Sequence, residues 1–399
     1  MTRDTPNPAG AHRDTRSAEP VLELPPRAAH ERVLAGARLI DIREPGEQAT
    51  GMAEGAVAVA RRDLEQAPEH WLDGTGPVVL ICARGRRSLD CARILRGHHW
   101  VGERIELISV AGGTDAWRAE GLPMTAATVT ARFAERYDRH LRLPDVGLAG
   151  QQRLAAARVV LIGAGGLGSP AAFYLAAAGI GRLRIVDGDR IERSNLQRQI
   201  LHRDDAIGRL KVESAAAAVS GLNPDIQVEP VPVRLASDNV EAVLADADVV
   251  IDGSDNFATR YLLSDACVRL GKPLVYGAVE RFQGQVSVFD AGRARGQAPC
   301  YRCLFPQPPA PEFAPNCAEA GVLGIVPGVI GLLQATEAIK LILHLGDSLS
   351  GRLLHFDARA MRFRETRLAA DPDCPVCPPG TPFSGYAESL TVCASADQG

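Results

Sequence analysis

The sequence predicts an α/β protein of two domains, each built on a parallel sheet. Its 399 residues suit two or three domains. Two regions alternate short apolar runs with helical segments, which is the pattern of βαβ units. In the second region a glycine-rich turn, GAGGLGS, joins an apolar strand to an alanine-rich helix. That junction is typical of parallel sheets covered by helices.

Composition excludes several classes of protein. The chain is 46% hydrophobic and 23% charged, as globular proteins are, and its net charge of -4 gives no basic surface for nucleic acid or anionic membranes. We expect no apolar run near the ~20 residues that span a bilayer. The N-terminus lacks the apolar core of a secretory signal, so a cytoplasmic location is expected. Nine cysteines, an odd number, favour metal or catalytic thiols over disulfides.

Domain boundaries follow changes in composition. We predict a disordered N-terminus over residues 1–20, which are rich in Pro, Arg, Asp and Thr. The first domain covers 21–125, and a linker of a few residues, 126–131, leads to the second domain at 132–378. Residues 379–399 are small and turn-forming, and they are predicted to be a disordered tail.

The first domain contains strands and helices in alternation. ARLIDIR predicts a strand ending at Asp41, and PVVLIC predicts a buried strand ending at Cys82. RSLDCARILRG predicts a helix and IELISVAGG another strand. This order predicts a small parallel-sheet domain.

Cys82 is the residue of the first domain that carries chemistry. The loop CARGRRS after it supplies Arg84, Arg86 and Arg87 and leads into a helix. A helix N-terminus and nearby cations stabilise a thiolate. The alternative is a buried structural cysteine beside solvated arginines. Cys91 lies within the helix and is expected only to pack.

The first domain resembles a rhodanese over about 100 residues. The similar segments are LIDIREPGE, GMAEGA, CARGRRS, and AGGTDAW followed by GLP. The resemblance implies that Cys82 accepts a sulfane sulfur and carries it as a persulfide. Related phosphatases have C-x5-R, whereas Arg87 here completes C-x4-R, a smaller loop that suits sulfur. GMAEGA departs from the Gly-His-Ile-Pro-Gly-Ala segment of many rhodaneses, and its role is expected to be structural.

The second domain is organised around VVLIGAGGLGSP. Val159–Ile162 predicts a buried strand, and a helix follows that ends at Gly179. The turn between them carries the G-x-G-x-x-G spacing with Gly163, Gly165 and Gly168. Such a turn brings backbone N–H groups and a helix dipole to a phosphate. Asp187 ends the next strand, where an acid can hold ribose hydroxyls. The turn alone fits a nicotinamide dehydrogenase equally well.

Charged residues follow the neighbouring strands. Asn195, Arg198 and Lys211 supply an amide and two cations, which a triphosphate needs as charge grows on the leaving pyrophosphate. A solvated loop is the alternative. ADVVIDGSDN ends a further strand with Asp252 and Asp255, one of which can hold Mg²⁺. The alternative for Asp255 or Asn256 is a helix cap.

Four cysteines form two C-x-x-C pairs, CYRC at Cys300 and Cys303 and CPVC at Cys374 and Cys377. Two such pairs predict a structural zinc site with four thiolates and no catalytic role. Two unrelated pairs are the alternative. Cys317 follows a proline-rich segment predicted to be a mobile loop, and it is either a reactive or a buried thiol. Cys393 has no assigned role.

Together, GAGGLGSP, SNLQRQ, GRLKVES, DGSDN, NCAEAGV and the cysteine pairs resemble one family over about residues 132–378. It comprises the bacterial adenylyltransferases of molybdopterin and thiamine synthesis, relatives of the ubiquitin-activating enzymes. The resemblance implies a Rossmann-like ATP-binding domain with a parallel-centred sheet and a four-cysteine zinc site. It therefore implies ATP, Mg²⁺ and Zn²⁺ as cofactors.

The resemblance also implies roles for individual residues. Arg198, Lys211 and Asp255 would act on phosphates and magnesium, and Arg139 would reach in from the neighbouring subunit of a homodimer. Cys317 matches a cysteine that in some members links covalently to a carrier protein. ATP would be bound by the glycine turn and the polar residues near it, namely Gly163, Gly165, Gly166, Gly168, Asp187, Asn195 and Asn256.

The implied reaction is adenylation of the C-terminal glycine of a ubiquitin-like sulfur carrier. Cys82, loaded from a persulfide or thiosulfate donor, would then supply sulfur for a thiocarboxylate. In fused relatives the rhodanese domain follows the adenylating domain, whereas here it comes first, so Cys82 would serve either its own subunit or the other one. The alternatives are an NAD-dependent dehydrogenase and a non-catalytic scaffold that binds the carrier.

Overall fold

The computed structural model describes residues 20–72, 74, 76–98, 101, 105–308 and 321–386. The chain forms two compact units, an N-terminal unit of residues 1–147 and a C-terminal unit of residues 148–399. The start of the predicted disordered N-terminus, most of the predicted proline-rich loop with Cys317, and Cys393 lie outside the described residues.

The N-terminal unit contains a five-stranded parallel sheet in the order β1-β5-β4-β2-β3. Its strands are β1 (Leu22–Leu24), β2 (Arg38–Asp41), β3 (Val57–Ala58), β4 (Val78–Ile81) and β5 (Leu107–Val110). Its helices are α1 (Pro26–Leu34), α2 (Pro45–Gln48), α3 (Arg61–Gln66), α4 (Pro68–Trp71), α5 (Arg86–Arg96), α6 (Gly113–Ala119), α7 (Ala131–Arg136) and α8 (Asp138–Leu141). The strands and the helix predicted around Cys82 are present.

Strand β4 lies in the middle of this sheet, and all four of its side chains are buried. Alternate residues point to opposite faces, so Val78 and Leu80 join one apolar cluster while Val79 and Ile81 join the other. This is the pattern of a strand covered on both faces. The sheet therefore carries Cys82, which directly follows β4, on a rigid support.

The C-terminal unit contains an eight-stranded sheet in the order β13-β12-β11-β10-β9-β6-β7-β8. Strands β10, β9, β6, β7 and β8 are parallel, and β10 through β13 pair antiparallel. The strands are β6 (Arg158–Ile162), β7 (Arg182–Val186), β8 (Gln227–Val231), β9 (Val249–Asp252), β10 (Leu274–Glu280), β11 (Gln283–Phe289), β12 (Arg352–Asp357) and β13 (Arg362–Arg367). The predicted α/β class with a parallel-centred sheet is confirmed.

Helices cover this sheet. They are α9 (Gly147–Ala156), α10 (Gly168–Ala178), α11 (Lys211–Leu222), α12 (Val240–Leu244), α13 (Phe257–Leu270), α14 (Tyr301–Leu304) and α15 (Ile325–Leu343). Helix α10 ends at Gly179, as predicted. Gly179 has the left-handed conformation that is common after the last turn of a helix.

Helix α15 corrects one expectation from the sequence. Its 19 residues are long and apolar enough to cross a membrane by length and composition. The helix packs against α10 and against strands of the sheet, and it buries Gln334, whose side-chain nitrogen donates to the backbone oxygens of Asp252 (2.6 Å) and Val275 (3.1 Å). Those contacts are what a core helix of a globular unit makes.

The predicted disordered tail begins with residues that make contacts. The hydroxyl of Tyr386 donates to Glu241 at 2.8 Å, and the guanidinium of Arg269 lies 4.2 Å from the ring centre of Phe383. Phe383 and Tyr386 therefore pack against α13 and α12, although the composition of this segment predicts disorder.

Candidate functional site

The carboxyl ends of β6, β7 and β9 carry the predicted nucleotide residues. Strand β6 pairs with β7 on one side and with β9 on the other, so the segments after these three strands lie at one sheet edge. The chain passes from β6 to β7 in one direction and later returns to β9 in the other. This is a topological switch point, where open α/β sheets bind ligands.

The glycine turn after β6 is closely packed on one side and open on the other. Gly163 has a φ of 91°, and a Cβ there would lie 2.6 Å from the carbonyl oxygen of Gly253. A Cβ on Gly168 would overlap the carbonyl oxygen of Gly163. At Gly165, by contrast, a Cβ would meet only the Gln199 amide, at 3.7 Å. Gly165 therefore leaves backbone open to a ligand.

Ala164, inside this turn, is held through both of its backbone polar groups. Its N–H donates to Oδ2 of Asp187 at 2.8 Å, and its carbonyl oxygen lies 2.9 Å from Nε2 of His202. The other carboxylate oxygen of Asp187 accepts from the N–H of Asp189 at 2.8 Å. Asp187 thus shapes the turn, a task additional to the ribose contact predicted from sequence.

Two predicted cations lie near the turn with different partners. Arg198 donates to the backbone oxygen of Ser194 at 3.1 Å, and its Cγ would lie 3.3 Å from a Cβ on Gly166. Lys211, at the start of α11, is buried and donates to Asp189 at 3.0 Å.

Asp189 is the acid that holds Lys211. Burial alone would raise the pKa of Asp189, but the hydrogen bond and charge of Lys211, with the charge of Arg234, bring that pKa below its usual range. Asp189 is therefore an anion that orients Lys211.

The predicted amide Asn195 is buried, and its side chain accepts from the N–H of Glu192 at 3.1 Å. It is the last residue of a short 3₁₀ helix, Arg193–Asn195, and forms a capping box with the N-cap residue Glu192. Asn256 is the N-cap of α13 and accepts from the N–H of Thr259 at 2.9 Å, so the alternative cap role occurs there. Asp255, beside it, is exposed.

Close to Asp255 in the sequence, Asp252 and Arg260 form a buried ion pair that the sequence alone did not reveal. Asp252 is fully buried and accepts from the N–H and hydroxyl of Ser254 at 2.9 and 2.6 Å. Arg260 lies 3.9 Å from Asp252 and donates to the carbonyl oxygen of Ser254 at 3.1 Å. Burial raises the pKa of Asp252, opposed by the Arg260 charge. The residue before Asp255 is thus fixed from two sides.

In the N-terminal unit the Cys82 sulfur lies at the bottom of its loop. Cys82 is 1% exposed, and its Sγ accepts from the N–H and hydroxyl of Ser88 at 3.3 and 3.4 Å. The Ser88 hydroxyl is also 2.9 Å from that of Ser109 on β5. Gly85 has a φ of 84° and lies against the backbone of Gly112, which keeps the loop tight. These donors suit a sulfur that carries negative charge.

Arg87, assigned to this site with Cys82, forms an ion pair with an acid, Glu47. Its guanidinium makes two hydrogen bonds to the carboxylate of Glu47, at 2.6 and 2.7 Å. The bond to Glu47 raises the pKa of Arg87. Burial raises the pKa of the Cys91 thiol to about 12, which fits the packing role expected of it.

The four paired cysteines meet in space, as predicted. All four Sγ atoms lie within 4.8 Å of one another, with separations of 3.9 Å (Cys300–Cys303), 3.6 Å (Cys300–Cys374) and 3.4 Å (Cys303–Cys377). Tetrahedral zinc with Zn–S bonds of ~2.3 Å needs sulfurs ~3.8 Å apart. The cluster therefore has the donor set and size of a four-thiolate metal site.

Arg139 lies on α8 in the N-terminal unit, with 86% of its side chain exposed and an ion pair to Asp138 at 3.1 Å.

His202, Asp189 and Glu47 were not singled out from sequence. An isolated histidine or acid gives no local pattern, and each acts through a partner far along the chain.

These sites define a class of protein: an α/β unit with the topology of a nucleotide-binding site and a four-cysteine cluster, in one chain with a unit that holds a cysteine sulfur beneath a loop. Residues 137–376 match the ThiF family model, and residues 26–120 match the model of the rhodanese-like domain. The chain belongs to the ThiF family and carries a rhodanese-like domain before the ThiF region. Both predicted resemblances are confirmed.

Curated relatives agree with this assignment. The chain is 54% identical to the SAMP-activating enzyme E1 of Haloferax volcanii, over 66% of this chain and 98% of that protein. It is 51% identical to the sulfur carrier protein adenylyltransferase of Thermus thermophilus, over 62% and 92%. It is 47% identical to the probable adenylyltransferase/sulfurtransferase MoeZ of Mycobacterium tuberculosis, over 63% and 64%. The names confirm the predicted enzyme class, an adenylyltransferase combined with a sulfurtransferase.

Solved structures agree on the fold. The crystal structure of Escherichia coli MccB with ATP is 22% identical, covers 66% of this chain and 80% of that chain, and has a TM-score of 0.52. At this identity the likeness concerns the fold alone.

Proposed function

We propose that this chain adenylates the C-terminal glycine of a ubiquitin-like sulfur carrier protein and supplies the sulfur for its thiocarboxylate. Family membership and the names of the relatives support the reaction class. The observation that carries the proposal is an arginine against the glycine turn: Cγ of Arg198 lies 3.3 Å from where a side chain on Gly166 would begin. A triphosphate needs such a charge beside its backbone donors.

Adenylation exchanges one bond at phosphorus for another. A carboxylate oxygen of the carrier glycine attacks the α-phosphorus of ATP, and the bond to the α–β bridging oxygen breaks. Pyrophosphate leaves with that electron pair, and an acyl adenylate remains. No side-chain base is required, because the carboxylate is ionised at neutral pH. Arg198 and Lys211 stabilise the charge that develops on the phosphates, with Lys211 oriented by Asp189.

The proposed function includes two metal ions, one at the nucleotide site and one at the cysteine cluster. Asp255 is exposed beside the turn and is the residue that would hold Mg²⁺, which neutralises phosphate charge when bound. Zn²⁺ would occupy the cluster of Cys300, Cys303, Cys374 and Cys377 in a structural role, because four thiolates leave no open coordination position.

Sulfur transfer uses Cys82. The terminal sulfur of its persulfide, loaded from a persulfide or thiosulfate donor, attacks the acyl carbon, and AMP leaves with the bonding pair. A small thiol then reduces the acyl disulfide, which releases the thiocarboxylate and leaves Cys82 in a mixed disulfide that a second thiol resolves. Ser88 donates to Sγ of Cys82 through its N–H and hydroxyl and stabilises the thiolate.

The remaining parts of the proposal concern assembly. The protein acts as a cytoplasmic homodimer in which Arg139 reaches the partner's nucleotide. Arg87 supports the sulfur loop through Glu47. Cys317, outside the described residues, remains the candidate for a covalent link with the carrier.

Carrier-dependent exchange of radiolabelled pyrophosphate into ATP tests the adenylation. We expect exchange that needs both the carrier and its C-terminal glycine, and we expect Cys82→Ala to retain exchange while losing thiocarboxylate formation from thiosulfate. Tight NAD binding without exchange would indicate the dehydrogenase instead. Carrier binding without exchange would indicate the non-catalytic scaffold.

A further inference from the structure

We propose that His202 is a positioning residue that fixes the glycine turn and the start of α11 in the arrangement that binds the phosphates of ATP. The inference rests on the proposed function, because it concerns the same nucleotide site. In the sequence His202 is far from the glycine turn, because it follows Gly168 by 34 residues.

The geometry around His202 joins two elements. Its Nε2 lies 2.9 Å from the carbonyl oxygen of Ala164 in the turn, and its Nδ1 lies 3.1 Å from the hydroxyl of Ser214 on α11. The side chain is buried, with 7% of the residue exposed. Ser214 lies three residues, nearly one helical turn, after Lys211. One imidazole therefore links the turn to the helix that carries a phosphate-binding lysine.

The two partners assign the tautomer. A carbonyl oxygen only accepts, so Nε2 carries the hydrogen and donates to Ala164. In the neutral ring Nδ1 then accepts from the hydroxyl of Ser214. Asp187 accepts from the N–H of the same Ala164 residue, so both backbone groups of this residue have a fixed partner.

The charges that act on His202 favour this neutral form. Burial lowers the pKa of His202, and the positive charge of Lys211 on α11 lowers it further, while the Ala164 carbonyl and Asp187 oppose them. Protonation would add a second buried cation beside Lys211 and convert Nδ1 into a donor, which reverses the bond to Ser214. The link is therefore intact at neutral pH and is weakened in acid.

The experiment measures binding of Mg·ATP by calorimetry to the full chain and to three variants. His202→Ala removes both bonds, and we expect binding about five- to tenfold weaker, the worth of one or two buried hydrogen bonds. His202→Gln keeps a donor near the Nε2 position, and we expect a loss under about threefold. His355→Gln is the matched control, because His355 also meets a hydroxyl, that of Thr366 at 3.2 Å on β13. It should bind as the wild type does.

A second readout separates positioning from general stability. Wild-type affinity for ATP should fall in acid as His202 gains a proton, and His202→Gln should remove that fall because an amide does not titrate. Identical pH profiles, or ATP affinity unchanged in His202→Ala, would overturn the inference while leaving the proposed function in place. If the wild type itself fails to bind ATP, the proposed function fails and this inference fails with it.

Discussion

At the scale of single residues, a charge pair supports the loop that presents Asp255. Arg260 pairs with the fully buried Asp252, and its guanidinium also lies over the rings of Phe257 and Tyr276 at 5.6 and 5.7 Å. A buried carboxylate without a cation is costly, so the pair specifies one conformation of this loop.

Replacing that arginine should therefore destabilise the fold strongly. We expect Arg260→Met to lower the free energy of unfolding by about 3–5 kcal/mol, because it leaves the Asp252 carboxylate buried and uncompensated. Urea denaturation followed by circular dichroism measures the loss. Arg269→Met is the matched control on the same helix: Arg269 is 42% exposed and pairs with Glu241, so about 1 kcal/mol or less is expected. Equal losses in the two variants would contradict the role given to Arg260.

At the scale of elements, the strand–turn–helix of β6 and α10 separates two uses of glycine. Gly168 gives α10 its close approach to the turn, and Gly165 gives a ligand access to the backbone. The first use belongs to packing and the second to binding, so substitutions at the two positions should affect different measurements.

We expect Gly168→Ala to lower the free energy of unfolding by about 1–3 kcal/mol, since the new methyl group would overlap the Gly163 carbonyl. Gly165→Ala should change stability by under about 0.5 kcal/mol, because only the Gln199 amide lies near the added carbon. It should nevertheless weaken ATP binding. Denaturation and calorimetry on both variants test this, and unaltered ATP affinity in Gly165→Ala would exclude the turn as the phosphate site.

Elements of this kind were predictable because the information is local. The glycine spacing, the apolar run of β6, the end of α10 and the two C-x-x-C pairs all lie within short windows of sequence. The contacts that complete the sites are not local: Arg87 and Glu47 are 40 residues apart, and His202 and Ala164 are 38 apart. An acid or histidine that works through a distant partner leaves no periodic trace, so only the folded chain reveals it.

Two expectations from the sequence were wrong because they considered local composition alone: the length of α15 and the disorder of residues 379–386. Polar residues interrupt the apolar run of α15, which hid its length, yet Gln334 and Glu337 are buried there against backbone partners. The composition of residues 379–386 predicts disorder, although Phe383 and Tyr386 pack edge-to-face; Tyr386 donates to Glu241 on α12, and Arg269 of α13 lies over the Phe383 ring. In both segments tertiary contacts outweighed local composition.

At the scale of the whole molecule, the proposed function places a residue of a second subunit, Arg139, at each active site. Arg139 is 86% exposed, and its one described ion-pair partner is the adjacent Asp138. In a two-fold dimer each subunit would give Arg139 to its partner's site, so every site combines residues of two chains. Activity of mixed dimers can therefore reveal which chain supplies the arginine.

We expect dimers that combine one Arg139→Ala chain with one Lys211→Ala chain, purified by two different tags, to retain about half of the wild-type pyrophosphate exchange. In such a dimer the site with an intact Lys211 receives an intact Arg139 from the other chain, while the second site lacks both. Each homodimeric variant should be nearly inactive. Dimers of Lys211→Ala with Asp255→Ala are the control and should also be inactive, since both residues serve the site of their own chain. Loss of exchange in the first mixture, or failure to isolate any mixed dimer, would show that Arg139 does not act across a subunit interface.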